Sequence, residues 1–356
     1  MVVLLTCALL GAAAPPARLT AVTGPALPGR GALLVAGELL LVADPPVLVG
    51  YAPTPRPVAR WHATVTAAAW SAEALGDLVL VTERDTARQV VGTAAYDAAT
   101  GALRYRRPDR VYPAGDGAVA VTEVRSVADP GQRIQGLVHG VDPATGANRW
   151  SVSVPSTAVL AVAPGRPGGV VLVHDSGLAR LHDVRNGAVL GAARLPPAGY
   201  APDNPLVVGD HLVLRHPAPG GTALSGYDLP GLTPRWRRLL AGGEVTEAGC
   251  PGLVCLRAVR DRRALDPATG DVVWRWPGGA GWRAVPGGRD ADRVVLVRPA
   301  GDAGRTLVTT AGRDGPRPAG VLPAGIRDCH AVGDALACRG PDNRLAVWPL
   351  RSAGRT

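Results

Sequence analysis

Four of the five cysteines occur in close pairs that could form disulfide bonds. Cys250 and Cys255 flank a four-residue loop, and Cys329 and Cys338 flank a predicted two-residue Gly-Asp turn. That turn places Cys329 directly opposite Cys338 on two strands, at a separation suited to a bridge. Four cysteines allow three pairings, and we favour the two local ones. Disulfides indicate an oxidising compartment outside the cytoplasm; the alternative is reduced thiols packed in the core.

The other residues that could do chemistry form no recognisable set. The seven histidines are scattered, and His174 and His182, each followed by an aspartate, are the weak candidates. Asp290 and Asp292 are interpreted as loop residues rather than an acid–base pair. The sequence contains no G-x-S-x-G, H-E-x-x-H, P-loop or EF-hand pattern, which mark common nucleophile, zinc, nucleotide and calcium sites. We therefore predict no catalytic residue and no metal site.

All 38 basic residues are arginines, and the formal net charge is +9. Arginine-rich runs at 104–107, 235–238 and 260–263 could contact nucleic acid or another anionic polymer. The first two runs occupy the same position in a repeat. We therefore favour the alternative of a solvated outer strand whose charge discourages edge pairing. If such contacts exist, we expect anionic lipid or a cell-wall polymer, and no nucleic acid.

An internal repeat must position these residues. The pattern Asp-x-x-Thr-Gly occurs three times, each with an aromatic residue eight positions after the aspartate. The three copies contain Asp97, Gly101 and Tyr105; Asp142, Gly146 and Trp150; and Asp266, Gly270 and Trp274. Weaker copies keep Asp183 and Gly187, with Leu190 in place of the aromatic, and Asp228 with Trp236; Trp61 is assigned to an earlier copy. These markers recur every 38 to 46 residues, the period of a four-stranded, WD40-like propeller blade.

Each copy predicts a tight turn between two strands. The aspartate and threonine side chains can accept backbone N–H bonds within the turn. The glycine supplies a left-handed backbone conformation that other residues adopt with difficulty. Because side chains alternate along a strand, Tyr105, Trp150 and Trp274 should face one way and the arginines beside them the other.

The pattern A-x-D-x-x-T-G-x-x-x-W resembles the tryptophan-docking motif of the PQQ-binding-like (quinoprotein alcohol dehydrogenase-like) β-propeller family. The resemblance covers roughly residues 30–350 and is strongest at the three full copies. In that family each tryptophan packs between neighbouring blades. The resemblance therefore implies an all-β propeller of four-stranded antiparallel blades.

The family also includes alcohol-oxidising enzymes. Those members hold the quinone with Ca²⁺, a catalytic aspartate and, typically, a disulfide between adjacent cysteines. This chain has no adjacent cysteine pair and is much shorter than those enzymes. We therefore do not expect PQQ to bind, because a shared scaffold does not transfer a reaction.

Counting strands and turns predicts eight blades. The intervals are 30–64, 65–109, 110–155, 156–197, 198–242, 243–279, 280–323 and 324–350. Seven blades are the alternative, because residues 280–323 are poorly patterned. The last interval holds only three strands, and an open sheet edge invites mispairing. We predict that residues 18–28 supply the missing strand and close the ring.

The N-terminus predicts export or anchoring. Residues 1–14 are apolar and uncharged, shorter than the roughly 20 residues of a membrane-spanning helix. They match the apolar core of a signal peptide but lack its positive region. A buried or disordered N-terminus is one alternative, and a lipoprotein-type box at Cys7 is a weaker one. We assign residues 1–17 to this segment, 18–350 to a single propeller domain and 351–356 to a short tail.

Taken together, these features predict a monomeric, non-catalytic scaffold outside the cytoplasmic membrane. Family members without the cofactor site bind other proteins in the cell envelope, and the resemblance implies a protein or envelope component as partner. The alternative is a PQQ- or sugar-dependent enzyme with an unrecognised active site.

Overall fold

Glycine-containing turns join the first two strands of most sheets. Gly37, Gly76, Gly209 and Gly333 have φ between 50° and 57°, a left-handed conformation that glycine adopts without a steric cost. The strands on either side of each turn then pair in antiparallel register, and the second strand of each pair contributes buried apolar residues to the core.

The computed structural model contains eight four-stranded antiparallel sheets. It describes residues 18–29, 31–53, 56–87, 89–125, 132–155, 158–163, 168–196, 204–247, 250, 252–287, 293–301 and 304–350. The predicted export segment (1–17), the tail (351–356) and the Asp290–Asp292 pair lie outside these residues. In the described part of the chain, no helix is long and apolar enough to cross a membrane.

Strand β1 (Val22–Ala26) precedes the first complete sheet in the chain. Strands β2 to β9 form blades 1 and 2: Ala32–Ala36, Leu39–Asp44, Val47–Ala52 and Val58–Thr64, then Ala68–Leu75, Leu78–Arg84, Val90–Asp97 and Leu103–Arg107. Strands β10 to β17 form blades 3 and 4: Arg110–Ala114, Gly117–Arg125, Gln132–Val141 and Asn148–Val154, then Val159–Ala163, Gly169–Val173, Leu178–Asp183 and Val189–Arg194.

The second half of the ring repeats the arrangement. Strands β18 to β25 form blades 5 and 6: Pro205–Val208, His211–Ala218, Gly221–Asp228 and Thr233–Leu239, then Val245–Glu247, Val254–Arg257, Asp261–Leu265 and Val272–Pro277. A 3₁₀ turn, Gly279–Gly281, leads to blade 7, which contains β26 to β29: Arg283–Ala284, Val294–Ala300, Arg305–Gly312 and Gly315–Leu322. Blade 8 contains β30 to β32: Arg327–Val332, Ala335–Arg339 and Arg344–Pro349.

The first strands of neighbouring blades contact each other and therefore line the axis of the ring. Buried aliphatic clusters lie between the blades, for example between blades 1 and 2 and between blades 4 and 5. Because the four strands alternate in direction, the turns between strands one and two and between strands three and four lie at one end. We call this end the turn face, and the other end, which carries the connections between blades, the crossover face.

The N-terminal strand closes the ring. Strand β1 pairs antiparallel with β32, with Val22 opposite Val347, so blade 8 has the order β1-β32-β31-β30. The predicted eight-bladed propeller with this closure is therefore confirmed. The seven-bladed alternative is wrong, because residues 283–322 form a complete blade although their sequence lacks the repeat.

A buried arginine holds the closing segment in place. The Arg339 side chain is only 2% exposed, and its guanidinium donates to the carbonyl oxygens of Pro28 (2.7 Å) and Gly31. It also donates to the side-chain oxygen of Asn343 at 2.7 Å. The Asn343 amide in turn donates to the carbonyl of Leu27 at 2.5 Å. Asp328 pairs with Arg339 Nε at 3.1 Å, so the loop that follows β1 supplies two of the four acceptors of this buried charge.

Deleting residues 18–28 should destabilise the protein by about 2 kcal/mol or more, because the buried guanidinium of Arg339 loses the Pro28 acceptor and β32 becomes an open edge. Thermal and urea unfolding measure the loss. Adding a synthetic peptide of residues 18–28 should restore stability in a concentration-dependent way. An unchanged unfolding midpoint after the deletion would contradict this closure mechanism.

Candidate functional site

The Asp-x-x-Thr-Gly turns are built by their own side chains. Asp97 Oδ1 accepts the backbone N–H groups of Ala99 (3.1 Å) and Thr100 (2.9 Å). The Thr100 hydroxyl oxygen accepts the N–H of Ala102 at 3.3 Å. Gly101 follows with φ 72°. Asp142 and Asp266 accept the same type of bond from the residue two positions on, each at 2.8 Å.

Ion pairs tighten these turns. In three blades an arginine seven positions after the aspartate pairs with it: Arg104 with Asp97, Arg149 with Asp142 and Arg235 with Asp228. The hydrogen bond from Arg104, together with those from Thr100, lowers the pKa of Asp97 to about 2. Hydrogen bonds from Arg149 and Arg185 likewise lower the pKa values of Asp142 and Asp183.

The tryptophans of the outer strands pack onto the turn of the next blade. The indole N–H of Trp61 donates to the carbonyl of Ala98 at 2.9 Å, and that of Trp150 to Val184 at 2.8 Å. Trp236 donates to Pro267 at 2.8 Å and Trp274 to Gly312 at 3.0 Å. In the first three cases the acceptor directly follows the turn aspartate. The same hydrogen bond therefore recurs at several blade interfaces.

The turn glycine lies under the indole ring. A Cβ atom on Gly101 would lie 2.6 Å from Trp61, one on Gly187 2.8 Å from Trp150 and one on Gly270 2.6 Å from Trp236. Gly146 has the same relation to the Tyr105 ring, at 2.6 Å. The turn glycine is therefore required twice, by its positive φ and by the aromatic ring above it.

A second glycine lies on the other side of several tryptophans. In the strand register Gly50 is opposite Trp61, Gly140 opposite Trp150 and Gly226 opposite Trp236. A Cβ atom on any of these three glycines would overlap the indole ring. Each of these rings is thus held between a glycine of its own blade and a glycine of the next blade.

The aromatic position of blade 4 differs from the sequence assignment. Gly191 lies opposite Leu181, just as Trp150 lies opposite Gly140. In both blades a register shift separates this pair from the next pair towards the turn. Gly191, not Leu190, therefore occupies the aromatic position, and the backbone carbonyl of Pro230 approaches it directly. The next blade has lost the matching glycine: Leu232 stands four positions after Asp228 with φ 55°.

Both predicted disulfides are present. Cys250 bonds to Cys255 and Cys329 to Cys338, with Cα–Cα distances of 5.9 and 4.1 Å. Val332 pairs with Ala335 across the turn, as predicted. The strand register becomes irregular around Cys329. His330, beside this bridge, is largely desolvated, and burial lowers its pKa to about 4.

The weak histidine candidates have structural partners. The His182 ring is stacked on Trp150, with centroids 6.1 Å apart, and its Nδ1 lies 3.0 Å from the Gly187 carbonyl. His174 belongs to a turn: its backbone N–H donates to the Leu178 carbonyl, and its carbonyl accepts the N–H of Gly177.

The described residues do not provide the calcium and cysteine set of the quinone enzymes. They contain no group of three or more His, Cys, Asp or Glu side chains that could hold a metal ion. The two disulfides join residues five and nine positions apart rather than adjacent cysteines. No step through a quinone is therefore derived for this chain.

Blade 2 carries an unusual residue on the crossover face. All eight tryptophans lie in described residues, and Trp70 alone is exposed, at 39%. It is the extra residue of a β-bulge, because Ala69 pairs with Glu83 and Ser71 with Thr82. Bulges redirect a side chain and are common beside functional sites.

Arginines hold the exposed indole in position. The Arg84 guanidinium carbon lies 3.1 Å from the centre of the Trp70 ring, and that of Arg110 lies 4.5 Å from it. Arg110 also lies 4.3 Å from the Tyr112 ring. Cation–π contacts of this kind restrain the indole ring.

A second bulge lies at the same end of blade 2. Glu83 pairs with Gly92 and Arg84 with Val90, which leaves Val91 unpaired and 44% exposed. Val91 borders a cleft of about 350 Å³ that also contains Thr66, Thr93 and Arg106. We call Trp70, Arg84 and Val91 of blade 2, together with Arg110 of blade 3, the blade 2 patch.

A buried carboxylate supports the cleft. Both oxygens of Glu83 accept hydrogen bonds from Arg106 Nη1 at 3.0 Å, and the Thr66 hydroxyl donates to Glu83 as well. The Tyr96 hydroxyl donates to the Thr64 carbonyl at 2.7 Å, and burial raises its pKa to about 12. This network fixes Arg106 between the first cleft and a second one of about 440 Å³.

The sequence alone did not reveal this patch. Trp70 lies outside the repeat, and its exposure depends on a bulge that only the strand register shows. The one available signal was that Trp70 is the only tryptophan in blades 1 to 4 that does not fit the aromatic spacing.

Comparison with solved structures supports the fold. BamB from Moraxella catarrhalis superimposes with a TM-score of 0.59 over 96% of this chain and 100% of that chain, at 16% identity. The computationally designed Ika8 protein gives 0.58 over 92% and 98%, at 10% identity. The C-terminal WD40 domain of Sif2 gives 0.59 over 95% and 99%, at 8% identity. No protein-family model and no curated sequence matches the chain. At these identities the likeness concerns the fold only.

Replacing Gly187 by alanine should be more destabilising than replacing Gly209. Both have positive φ (74° and 57°), so both substitutions carry backbone strain of about 1 kcal/mol or more. Gly209 has open space around it, whereas Gly187 lies against Trp150; overpacking adds roughly 1–3 kcal/mol. Urea unfolding of the two variants measures the difference. Equal losses would show that the indole does not constrain the turn.

Proposed function

We propose that the chain is a non-catalytic, protein-binding scaffold that acts outside the cytoplasmic membrane. The blade 2 patch is the observation that carries this proposal. It combines an exposed tryptophan, an exposed valine and two arginines. Tryptophan and arginine are the residue types most often responsible for binding energy at protein interfaces.

The rigidity of the patch supports the proposal. Two bulges present Trp70 and Val91 at the same end of one sheet, and guanidinium groups restrain the indole. A side chain that is already ordered loses little conformational freedom when a partner binds, which favours affinity. The neighbouring cleft of about 350 Å³ offers room for one side chain of that partner.

The roles of the polar residues support a non-catalytic protein. Buried His216 bonds with Ser225 (2.9 Å) and with the Pro217 carbonyl (2.8 Å) inside blade 5. His211 bonds with Asp228 at the turn face. The hydrogen-bonding groups of these side chains are therefore paired within the sheet.

We further propose that the chain is a divergent member of the PQQ-binding-like family that does not bind the quinone. Stoichiometric uptake of PQQ and Ca²⁺ by the purified protein would favour the enzyme alternative.

Replacing Trp70 by alanine should weaken partner binding strongly. A photo-crosslinking residue at position 91 should capture a discrete protein in the native cells, and that purified protein should bind the propeller saturably. Trp70→Ala should weaken binding by roughly 30-fold or more, the effect of a hot-spot residue worth at least about 2 kcal/mol.

Val259 provides a matched control for this experiment. It is 80% exposed on the crossover face of blade 6, so Val259→Asp should leave binding unchanged whereas Val91→Asp should disrupt it. Equal affinities for the unsubstituted protein, Trp70→Ala and Val91→Asp, with all three folded, would refute the assignment of the patch.

The compartment has a separate test. Protein isolated from its native cells under thiol-blocking conditions should yield non-reduced peptides that link Cys250 to Cys255 and Cys329 to Cys338, as measured by mass spectrometry. Such bridges persist in an oxidising compartment. Blocked free thiols at these four positions would contradict a location outside the cytoplasm.

A further inference from the structure

Two arginines of blade 5 face the seam between blades 5 and 6. Arg215 and Arg238 both lie opposite Leu224 in the strand register, one on each side of it. Arg238 is two residues after Trp236 and therefore projects from the same face of the sheet. That face packs against blade 6, because the Trp236 indole donates to the Pro267 carbonyl.

Blade 6 contributes a third arginine to the seam. Arg263 lies opposite Leu256 in the register, and Leu256 packs with Leu224 in the apolar cluster of this seam. Arg263 Nη2 lies 2.5 Å from a carboxylate oxygen of Glu244. Glu244 belongs to the connection between the two blades, and its carboxylate also accepts the N–H of Ala241 at 2.8 Å.

The seam has more positive charge than its own residues neutralise. Among the described residues, neither Arg215 nor Arg238 has a carboxylate partner, and Glu244 pairs with Arg263. The three guanidinium groups of this seam are therefore accompanied by one carboxylate. Buried N–H groups of all three arginines lack an acceptor: Nε of Arg215, Nη1 of Arg238 and Nε of Arg263. Desolvated charges and donors without partners are costly, so the seam favours a ligand that supplies negative charge and oxygen acceptors.

We propose that this seam is a binding site for a phosphate group carrying two negative charges. The net charge of the four side chains is +2, which a dianion balances. Arg215 and Arg238 are only half-buried, so the ligand can reach them from the crossover face, towards which β21 runs. Guanidinium groups bind phosphate oxygens through paired hydrogen bonds, which a chloride ion cannot form. Inorganic phosphate and a phosphate monoester headgroup present the same chemistry.

The test is a titration of the purified full chain with inorganic phosphate at constant ionic strength. Calorimetry should show saturable binding at one site, and the unfolding temperature should rise with phosphate concentration as expected for a ligand of the native state. Arg215→Gln and Arg238→Gln should each weaken binding by roughly tenfold or more, the effect of losing one charged hydrogen-bonding group.

Arg237→Gln is the matched control. Arg237 is the neighbour of Arg238, carries the same charge, is exposed and projects from the opposite face of the strand. Its replacement should leave phosphate affinity unchanged. Equal weakening in Arg237→Gln and Arg238→Gln would mean general charge attraction and would overturn the site, as would the absence of saturable binding.

Stability without phosphate separates a binding role from a packing role. In chloride buffer, Arg238→Gln should be at least as stable as the unsubstituted protein, because it removes one of the uncompensated charges. A variant that is less stable and still responds fully to phosphate would overturn the proposal.

Co-sedimentation with phosphatidylcholine vesicles containing phosphatidic acid distinguishes a lipid headgroup from a soluble phosphate as the ligand. Binding that requires Arg238 and is displaced by phosphate supports a headgroup, and phosphate binding without vesicle binding supports a soluble ligand.

Discussion

The structure depends on an indole ring held between two glycines. One glycine belongs to the strand beside the tryptophan and the other to the turn of the next blade, as for Trp150 between Gly140 and Gly187. The indole N–H also donates to a carbonyl of that turn. Because a Cβ atom on either glycine would overlap or crowd the ring, the three positions are coupled. Together they fix both the separation of two sheets and their relative rotation, since the hydrogen bond has a preferred direction.

The exceptions show the same coupling. Tyr105 and Trp274 lie opposite Ala95 and Ala264 rather than glycine; the phenol ring is smaller, and a Cβ atom on Gly315 would remain 3.6 Å from Trp274. The buried Tyr105 hydroxyl has no hydrogen-bond partner among the described residues, so the phenol takes the position of the indole without replacing its hydrogen bond. The ring junction uses other means, namely strand β1 and buried Arg339.

Local patterns were predictable, and features that depend on sheet register were not. The Asp-x-x-Thr-Gly turn is specified by neighbours in sequence, so the fold, the closing strand and both disulfides followed from the chain alone. Leu190 was assigned wrongly because it lies seven residues after Asp183, whereas the offset of eight residues falls on Gly191, which the strand register also places at the aromatic position. Trp70 was missed because its exposure comes from a bulge that only the strand register shows. Arg215, Arg238 and Arg263 lie on three different strands, and only the packing of two blades brings them to one seam.

The two ends of the ring differ in how much sequence change they tolerate. At the turn face the aspartates, arginines and glycines are committed to each other, as in the pairs Arg104–Asp97 and Arg149–Asp142, so substitution there alters the ring itself. At the crossover face the connections differ from blade to blade and need only span the gap between sheets. Trp70 and Arg238 both lie towards that end, on blades that are far apart around the ring. Repetition at one face therefore leaves the other face free to vary, and a surface that varies without cost to the fold is where specific binding can develop.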